Sequence, residues 1–317
     1  MNVDVVPLYV RRHQLVAKVR DSIQNQHVVV GVSGGADSIA LLMLCIAASM
    51  QQSSTFKLVV GHIHHGLRAE SDDEQAFVES LCERFGVQCV SKRITVEPKN
   101  GSLAAGARDA RYKALCEIAT EHHATAIAVA HHATDQLETM LMAMCRGGGA
   151  HKLSGMKPTR ALTSKIVLLR PLLHVEKHTL FEICQLAGVD WCEDPTNVDC
   201  DTPRGRLRKD VIPVLRELWP GADRHAANAS TILQAAVEAF NETVPNGTSW
   251  PRNTLSELPI PIIAAAMHHA VGEHATYETV HSIALAIADR NTDSRTFVCS
   301  DGCVANVTAH HVEVVYT

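Results

Sequence analysis

Apolar positions along this chain follow two rhythms that alternate through its first half, after which one of them takes over. Short apolar runs rich in β-branched residues come at His27-Val28-Val29-Val30, at 56–62, at 87–96, at 124–130 and at 166–169. Such runs, bounded by turn residues, read as buried strands. Between them the period becomes helical. Residues 39–44 open an apolar helix, and residues 70–85 place apolar side chains at 77, 78, 81 and 85. Residues 102–122 read as a long helix with Ser102 as its N-cap, and 133–145 as another. Strands separated by helices predict an α/β fold with a doubly wound, mostly parallel sheet. Ligands in such sheets bind beyond the carboxyl ends of the strands. The Gly31 turn, the His62 segment and His131-His132 all follow strands, so they are expected to converge on one crevice.

After about Leu172 the pattern is mainly helical. Helices are expected over 174–188, 204–218 and 221–240, followed by a Pro-, Asn- and Gly-rich linker over 244–261. Two more helices cover 262–274 and 277–289, and the end reads as short strands at 295–300 and 312–316. Trp219-Pro220-Gly221 breaks the helical run. The expected division is therefore a 1–218 α/β domain and a smaller, mainly helical 219–317 domain ending in short strands.

The chemistry begins at Gly31-Val32-Ser33-Gly34-Gly35-Ala36-Asp37-Ser38, between the first strand and the first apolar helix. A Gly-rich turn there leaves backbone N–H groups unpaired at a helix N-terminus, which favours an anion. Ser33 and Ser38 add hydroxyls. A carboxylate beside phosphates makes sense with a divalent cation between them, and Mg²⁺ is the usual one. Asp37 is thus the candidate metal ligand, and no Gly-Lys-Ser/Thr closes the loop as in a Walker A motif. The bland alternative is a strand–helix turn that binds nothing.

Arg108 and Arg111 lie three apart on a helix and face one side, where two guanidinium groups suit phosphate oxygens. A surface ion pair with Asp109 is the bland reading. Asp135 and Glu138 likewise share one helix face behind His131 and His132. Carboxylates and imidazoles there suit ion binding, amine recognition or proton transfer, against a capped helix with solvated charges. His64 and His65 read equally well as loop anchors.

Composition adjusts this picture in three ways. The chain has 317 residues, 46% apolar and 20% charged, which is ordinary for one large or two smaller soluble domains. No apolar run reaches membrane-span length and residues 1–20 carry no signal-peptide core, so a cytoplasmic location without a membrane is the expectation. Ten cysteines include no Cys-x-x-Cys pair, so zinc and iron–sulfur sites have no support, and Cys299–Cys303 spans a hairpin turn. The net charge of −5 requires any RNA contact to be localised. Arg204, Arg206, Arg208 and Lys209 stand out as the dense basic run. Their alternation puts charge on two helix faces, either solvated or touching phosphate.

The Ser-Gly-Gly-x-Asp-Ser turn resembles the PP-loop of the N-type ATP pyrophosphatases. Further segments resemble the tRNA(Ile)-lysidine synthetase family in order: His62-Ile63-His64-His65-Gly66-Leu67-Arg68 with Ser71 and Glu74, Ala107-Arg108-Asp109-Ala110-Arg111-Tyr112, and 130–139. They continue with Arg146-Gly147-Gly148-Gly149, Leu153-Ser154-Gly155-Met156, Arg170-Pro171-Leu172-Leu173, Trp191–Asn197, and Arg204–Arg208 with Ile212-Pro213. The chain departs from the family at Thr134, where an Asp is usual, at Gly205 for Asn, and at Gly148-Gly149 for Ser-Gly. It also looks like a short form, ending where longer members continue.

The resemblance implies ATP and Mg²⁺ as cofactors, L-lysine and a tRNA(Ile) with a CAU anticodon as partners, and often a homodimer. It implies lysine attachment to C2 of the wobble cytidine through an adenylated intermediate. The 1–218 part would be catalytic and the 219–317 part would select the tRNA. Ser33, Gly34, Gly35, Ala36, Asp37, Ser38, His62, Arg108 and Arg111 would bind the nucleotide. His131, His132, Asp135, Glu138, Arg204, Arg206 and Arg208 would bind substrate. Asp37, Arg111, His131, Asp135 and Glu138 would carry catalysis. Another PP-loop enzyme such as a thiolase, or a non-catalytic nucleotide- or RNA-binding module, remains open at this stage.

Overall fold

The computed structural model describes residues 6–23, 26–51, 57–64, 66, 70–98, 103–192, 202–289 and 293–316. His65, Leu67, Arg68, Ser102, the 193–197 part of the Trp191 motif and Cys200 lie outside the described residues. The chain divides into two compact units, Met1–Gln234 and Ala235–Thr317.

The first unit opens with two helices that the sequence reading did not propose, α1 (Leu8–Arg11) and α2 (Gln14–Ile23). Leu15, Val16, Val19 and Ile23 recur on one face of α2 and are buried. Strand β1 (His27–Gly31) leads into α3 (Ala36–Ser49), and β2 (Lys57–His64) into α4 (Glu70–Phe85). Strand β3 (Gln88–Arg93) leads into α5 (Leu103–Glu121), and β4 (Ala126–Ala128) into α6 (Ala133–Cys145). A short α7 (Ala150–Leu153) precedes β5 (Thr159–Ala161) and β6 (Val167–Leu169), and α8 (Lys177–Ala187) follows.

These six strands form one sheet in the order β3-β2-β1-β4-β6-β5. All neighbours pair in parallel except β5, which runs antiparallel to β6 at the edge. The expected doubly wound sheet is therefore present, with one edge strand that was too short and polar to register as a strand in the sequence. Strand order reverses beside β1, where β2 lies on one side and β4 on the other, so a crevice opens at their carboxyl ends. Residues Ile39 through Ala48 of α3 are buried all round, packed among the sheet, α2 and α8. On the opposite face α5 comes close to β2 at Gly61. A Cβ there would lie 2.9 Å from Leu115 Cδ2 and 3.0 Å from Val29 Cγ1.

The helix expected over 204–218 is broken into α9 (Pro203–Arg206), a π-turn over Leu207–Val211 and α10 (Ile212–Leu218). Pro213 has no N–H for the regular i→i−4 ladder, and the wider turn precedes it. Helix α11 (Ala222–Glu242) then runs on past the expected boundary at Leu218–Trp219. The Pro-Gly corner exists, with Gly221 at φ 87°, but it is a bend within the first unit. Ser230 Oγ donates to the Ser154 carbonyl at 2.6 Å, and Gln234 Nε2 donates to the Ser154 and Met156 carbonyls at 2.9 Å each. These bonds keep the start of α11 with the first unit.

In the second unit, the segment expected as a linker is part of the fold. It forms β7 (Ser249–Pro251) and α12 (Arg252–Ser256), and buries Trp250 and Leu255. Helices α13 (Ile260–Val271) and α14 (Tyr277–Ala288) follow, then β8 (Arg295–Val298), β9 (Cys303–Val307) and β10 (His311–Tyr316). The strands pair antiparallel in the order β7-β10-β9-β8. Cys303, Ala305 and Val307 alternate inward, and the Cys299 N–H donates to the Cys303 carbonyl at 2.8 Å across the hairpin. Buried Arg252 satisfies the end of α14. Its guanidinium donates to the carbonyls of Ala286, Ile287, Asp289 and Thr308. Replacing Arg252 by Met leaves four buried carbonyls short of a donor, so unfolding of the second unit should lose about 3 kcal/mol. Denaturant melts of the full chain read this, and an unchanged midpoint would remove Arg252 from the packing of this unit.

Candidate functional site

The loop from β1 to α3 has a shape that its sequence requires. Gly34 sits at φ 96°, and a Cβ there would meet Cys192 Sγ at 3.4 Å. The Cys192 N–H donates to the Gly34 carbonyl at 3.0 Å. Ser38 folds back on the loop: its hydroxyl donates to the Gly35 carbonyl at 2.8 Å and accepts from the Ser33 N–H at 3.2 Å. Helix α3 begins after Gly35 with no side-chain cap, so its positive end is left to the crevice. His62 is buried, with Nδ1 2.9 Å from the Val32 carbonyl oxygen. Burial lowers its pKa. It supports the loop backbone. His64 is a loop anchor: Nδ1 accepts from the Gly66 N–H at 3.1 Å and Nε2 lies 2.9 Å from Asp72 Oδ1.

Helix α6 begins at the neighbouring strand end. His132 is its N-cap and accepts the Thr134 N–H on Nδ1 at 3.2 Å, while Asp135 accepts the His132 N–H at 3.0 Å. This reciprocal capping leaves His132 Nε2 3.4 Å from Asp37 Oδ2 and 3.6 Å from Asp135 Oδ2. His132 thereby joins the loop carboxylate to the α6 carboxylate. Burial works against its protonation, but Asp135 and Asp37 outweigh it and raise its pKa.

His131 differs from its neighbour. Arg170 Nε donates to His131 Nδ1 at 3.1 Å, and Arg170 is itself buried and bonded to the Lys157 carbonyl. A guanidinium only donates, so Nδ1 carries no proton. Burial, with Arg170, Arg108 and Arg111 nearby, pushes the His131 pKa down to about 3. The ring is therefore neutral and presents an N–H at Nε2. It is set up to donate a hydrogen bond and not to accept a proton.

Asp135 and Glu138 meet the basic run. Arg204 donates to Glu138 Oε2 through Nε and to Asp135 Oδ1 through Nη2 at 3.1 Å. Arg208 donates to Glu138 Oε1 and to Asp135 Oδ1 at 3.0 Å. Glu138 is fully buried and Asp135 nearly so. Burial opposes ionisation of Asp135, but the His132 and His131 imidazoles, Arg204 and the His132 N–H hold its pKa at about 2. Arg206 is not brought into the cluster. It points outward and pairs with Asp210 at 3.3 Å. The basic run thus has two faces, as its alternation suggested.

Thr134 holds a different partner. Its Oγ1 accepts from Arg216 Nη2 at 2.9 Å, and Arg216 pairs with buried Asp223 at 2.7 Å. The position lacking the expected carboxylate therefore binds an arginine whose charge is met from α11. Arg170, read in the sequence only as part of a motif, and Arg216 were not singled out because they act on His131 and Thr134, 39 and 82 residues away, and Asp223 enters only through Arg216. Arg108 and Arg111 lie beside the Tyr112 ring, 5.6 and 5.4 Å from its centroid.

The fit to Mg²⁺ rests on one atom. Asp37 Oδ1 is buried and has no hydrogen-bond partner. Among the described residues no group of three or more His, Cys, Asp and Glu is placed to hold an ion alone. An ion at Asp37 would take its other ligands from phosphate oxygens and water, as Mg²⁺ commonly does.

Comparison with known proteins agrees with this geometry. The PP-loop domain profile matches residues 8–215. A tRNA(Ile)-lysidine synthase from Chromobacterium violaceum is 37% identical over 217 residues, covering 68% of this chain and 48% of that protein. A tRNA(Ile)-lysidine synthase from Nostoc is 34% identical over 238 residues, covering 73% of this chain and 68% of that protein. The chain spans about half the length of the Chromobacterium and Neisseria relatives, at 48% and 52%. A solved U34-tRNA thiolase from Methanococcus maripaludis shares the fold, with TM-score 0.57 and 17% identity over 70% of this chain and 78% of that one.

The Asp135 pKa gives a signed prediction. Its folded value of about 2 lies below the unfolded carboxylate value, so its stabilisation is complete above that value and is lost as pH falls toward about 2. Asp135→Asn should unfold about 2 kcal/mol more easily at pH 7 and show a flatter acid limb between about pH 5 and 2. Urea midpoints across that range check this. Parallel acid limbs in the two proteins would contradict it.

Proposed function

The chain belongs to the PP-loop domain family and, within it, to the tRNA(Ile)-lysidine synthase group, and from that premise we propose that it attaches lysine to the wobble cytidine of a tRNA(Ile) with a CAU anticodon. The observation that carries the reading is the juxtaposition at the sheet's switch point. His132 bridges Asp37 of the phosphate-type loop to Asp135, so an adenylating end and a cation-recognising end share one crevice.

The chemistry is consistent with these groups. ATP is consumed as a substrate. The C2 oxygen of the cytosine attacks the α-phosphorus of ATP and pyrophosphate departs. The lysine ε-amine then adds to C2, and AMP leaves with the former C2 oxygen. Ser33, Gly34, Gly35, Ala36 and Ser38 would cradle phosphate oxygens, and Asp37 would hold Mg²⁺, which supplies charge neutralisation there. Arg108 and Arg111 would offset charge on the phosphates. The His131 Nε2–H would donate to an oxygen of the base or of the α-phosphate.

The amine must lose a proton before it attacks, since its free pKa is about 10.4. Asp135 and Glu138 are the carboxylates for the ammonium. In this structure they are held by Arg204 and Arg208, so lysine would exchange with, or join, those guanidinium groups.

The test is incorporation of labelled lysine into an unmodified tRNA(Ile) transcript with a CAU anticodon, with release of AMP and pyrophosphate. Incorporation that disappears with a methionine tRNA of the same anticodon is the expected result. Pyrophosphate release without incorporation would discard lysine as the nucleophile. Asp37→Asn should abolish pyrophosphate release, a drop of at least about 100-fold, with the melting curve unchanged. Normal turnover by that variant would overturn the assignment of the loop.

A further inference from the structure

Beside Arg108 and Arg111, which the reaction above sets against the nucleotide phosphates, the molecule carries positive charge that this reaction does not use. From Thr139 through Val175 the sequence contains no Asp or Glu, although the whole chain is acidic with a net charge of −5. The same stretch holds Arg146, Lys152, Lys157, Arg160, Lys165 and Arg170. All but Arg170 are exposed. Arg160 stands on β5, the antiparallel edge strand, and its guanidinium lies 5.5 Å from the centroid of the Tyr112 ring. Arg108 and Arg111 approach that same ring, so three guanidinium groups share one aromatic side chain.

Arg204 and Arg208 are balanced one for one by Asp135 and Glu138. The cluster at Tyr112 has no such balance. Among the described residues, none of Arg108, Arg111 and Arg160 forms an ion pair, and Arg111 Nε is buried without a hydrogen-bond partner. Burial, and the nearby charges of Arg111, Arg204 and Arg160, lower the Arg108 pKa. Cations gathered against their mutual repulsion, with a donor left unpaired, leave room for an anion to complete the set. Beside them Tyr112, Cys116, Leu162 and Thr163 line an open groove of about 560 Å³. Glu117 and Glu121 also line it, and both are paired with Lys92.

Resting on the reading in the preceding subsection, we infer that Arg160, with Arg108 and Arg111 behind it and the acid-free 139–175 surface around it, is a docking site for a backbone phosphate of the RNA substrate. A nucleoside triphosphate is the other source of the same chemistry. Two facts favour RNA. The loop suited to a triphosphate follows β1, three strands from the edge strand β5 on which Arg160 stands. The charge at Arg160 also continues outward over an exposed surface, as a polymer backbone requires.

The experiment uses the full chain and an unmodified tRNA(Ile) transcript. Binding is measured against salt for the natural protein, Arg160→Ala and Arg160→Glu, with the KM for ATP measured alongside. Arg160→Ala should weaken tRNA binding about fivefold and flatten the log–log salt slope by about one unit, with the KM for ATP unchanged. Arg160→Glu should weaken it further, and Arg160→Lys should recover part of the loss. Unchanged affinity and slope in Arg160→Ala and Arg160→Glu would overturn the inference. A raised KM for ATP with an unchanged tRNA slope would assign the phosphate to the nucleotide and also overturn it. If the natural protein incorporates lysine while these variants bind tRNA normally, this inference alone falls. If it incorporates none yet binds tRNA in an Arg160-dependent, salt-sensitive way, the inference stands and the lysine reading falls.

Discussion

Two carboxylates on the first turns of α6 are almost dry, and the site depends on how their charge is met. Glu138 is fully buried and Asp135 nearly so. An isolated carboxylate in such a place would take up a proton. Arg204 and Arg208 each bond both acids, which makes a balanced set of two negative and two positive groups. The set ties α9 and the π-turn to the end of β4. Arg204 and Arg208, four apart, share the inward face while Arg206 between them turns out to Asp210. A buried set of this kind adds little net stability over an apolar contact, but removing one member costs a great deal. Such an arrangement suits a place where a cationic substrate exchanges with a protein cation.

The same electrostatic accounting separates the parts of the crevice. At the loop, the uncapped start of α3 and the orphaned Asp37 oxygen call for an anion and a cation together. At α6, charge is already balanced and a ligand has to compete. At Tyr112, positive charge is in excess and a phosphate completes it. His131 and His132 are adjacent in sequence and opposite in character. Arg170 keeps the first neutral by donating to it, and Asp37 with Asp135 keeps the second prone to protonation.

Much of this was legible along the chain, because the relevant signals are local. The β-branched runs, the Gly-rich turn and the spacing of Asp135 and Glu138 are set within a few residues, and they appear where the periodicity puts them. Elements decided by distant partners were not legible. Strand β5 is three exposed residues that exist because β6 offers an edge, and β7 exists because β10 does. The 244–261 stretch has the composition of a linker, yet Trp250 and Leu255 bury against the second unit's core. The Pro-Gly break after Leu218 is real, but Ser230 and Gln234 bind back to Ser154 and Met156 and move the division downstream.

The sequence by itself determined the parallel sheet, the loop for phosphate, the family to which the chain belongs and the identities of the charged groups. These follow from local periodicity, from backbone freedom at glycine and from side-chain chemistry. Only the tertiary structure decided which charges face one another. It paired Arg204 and Arg208 with the α6 acids, left Arg206 outside, set Arg170 against His131 and gathered Arg108, Arg111 and Arg160 around one tyrosine. The physical reason is that electrostatic energy depends on distance and burial in space, which neighbours along the chain do not specify.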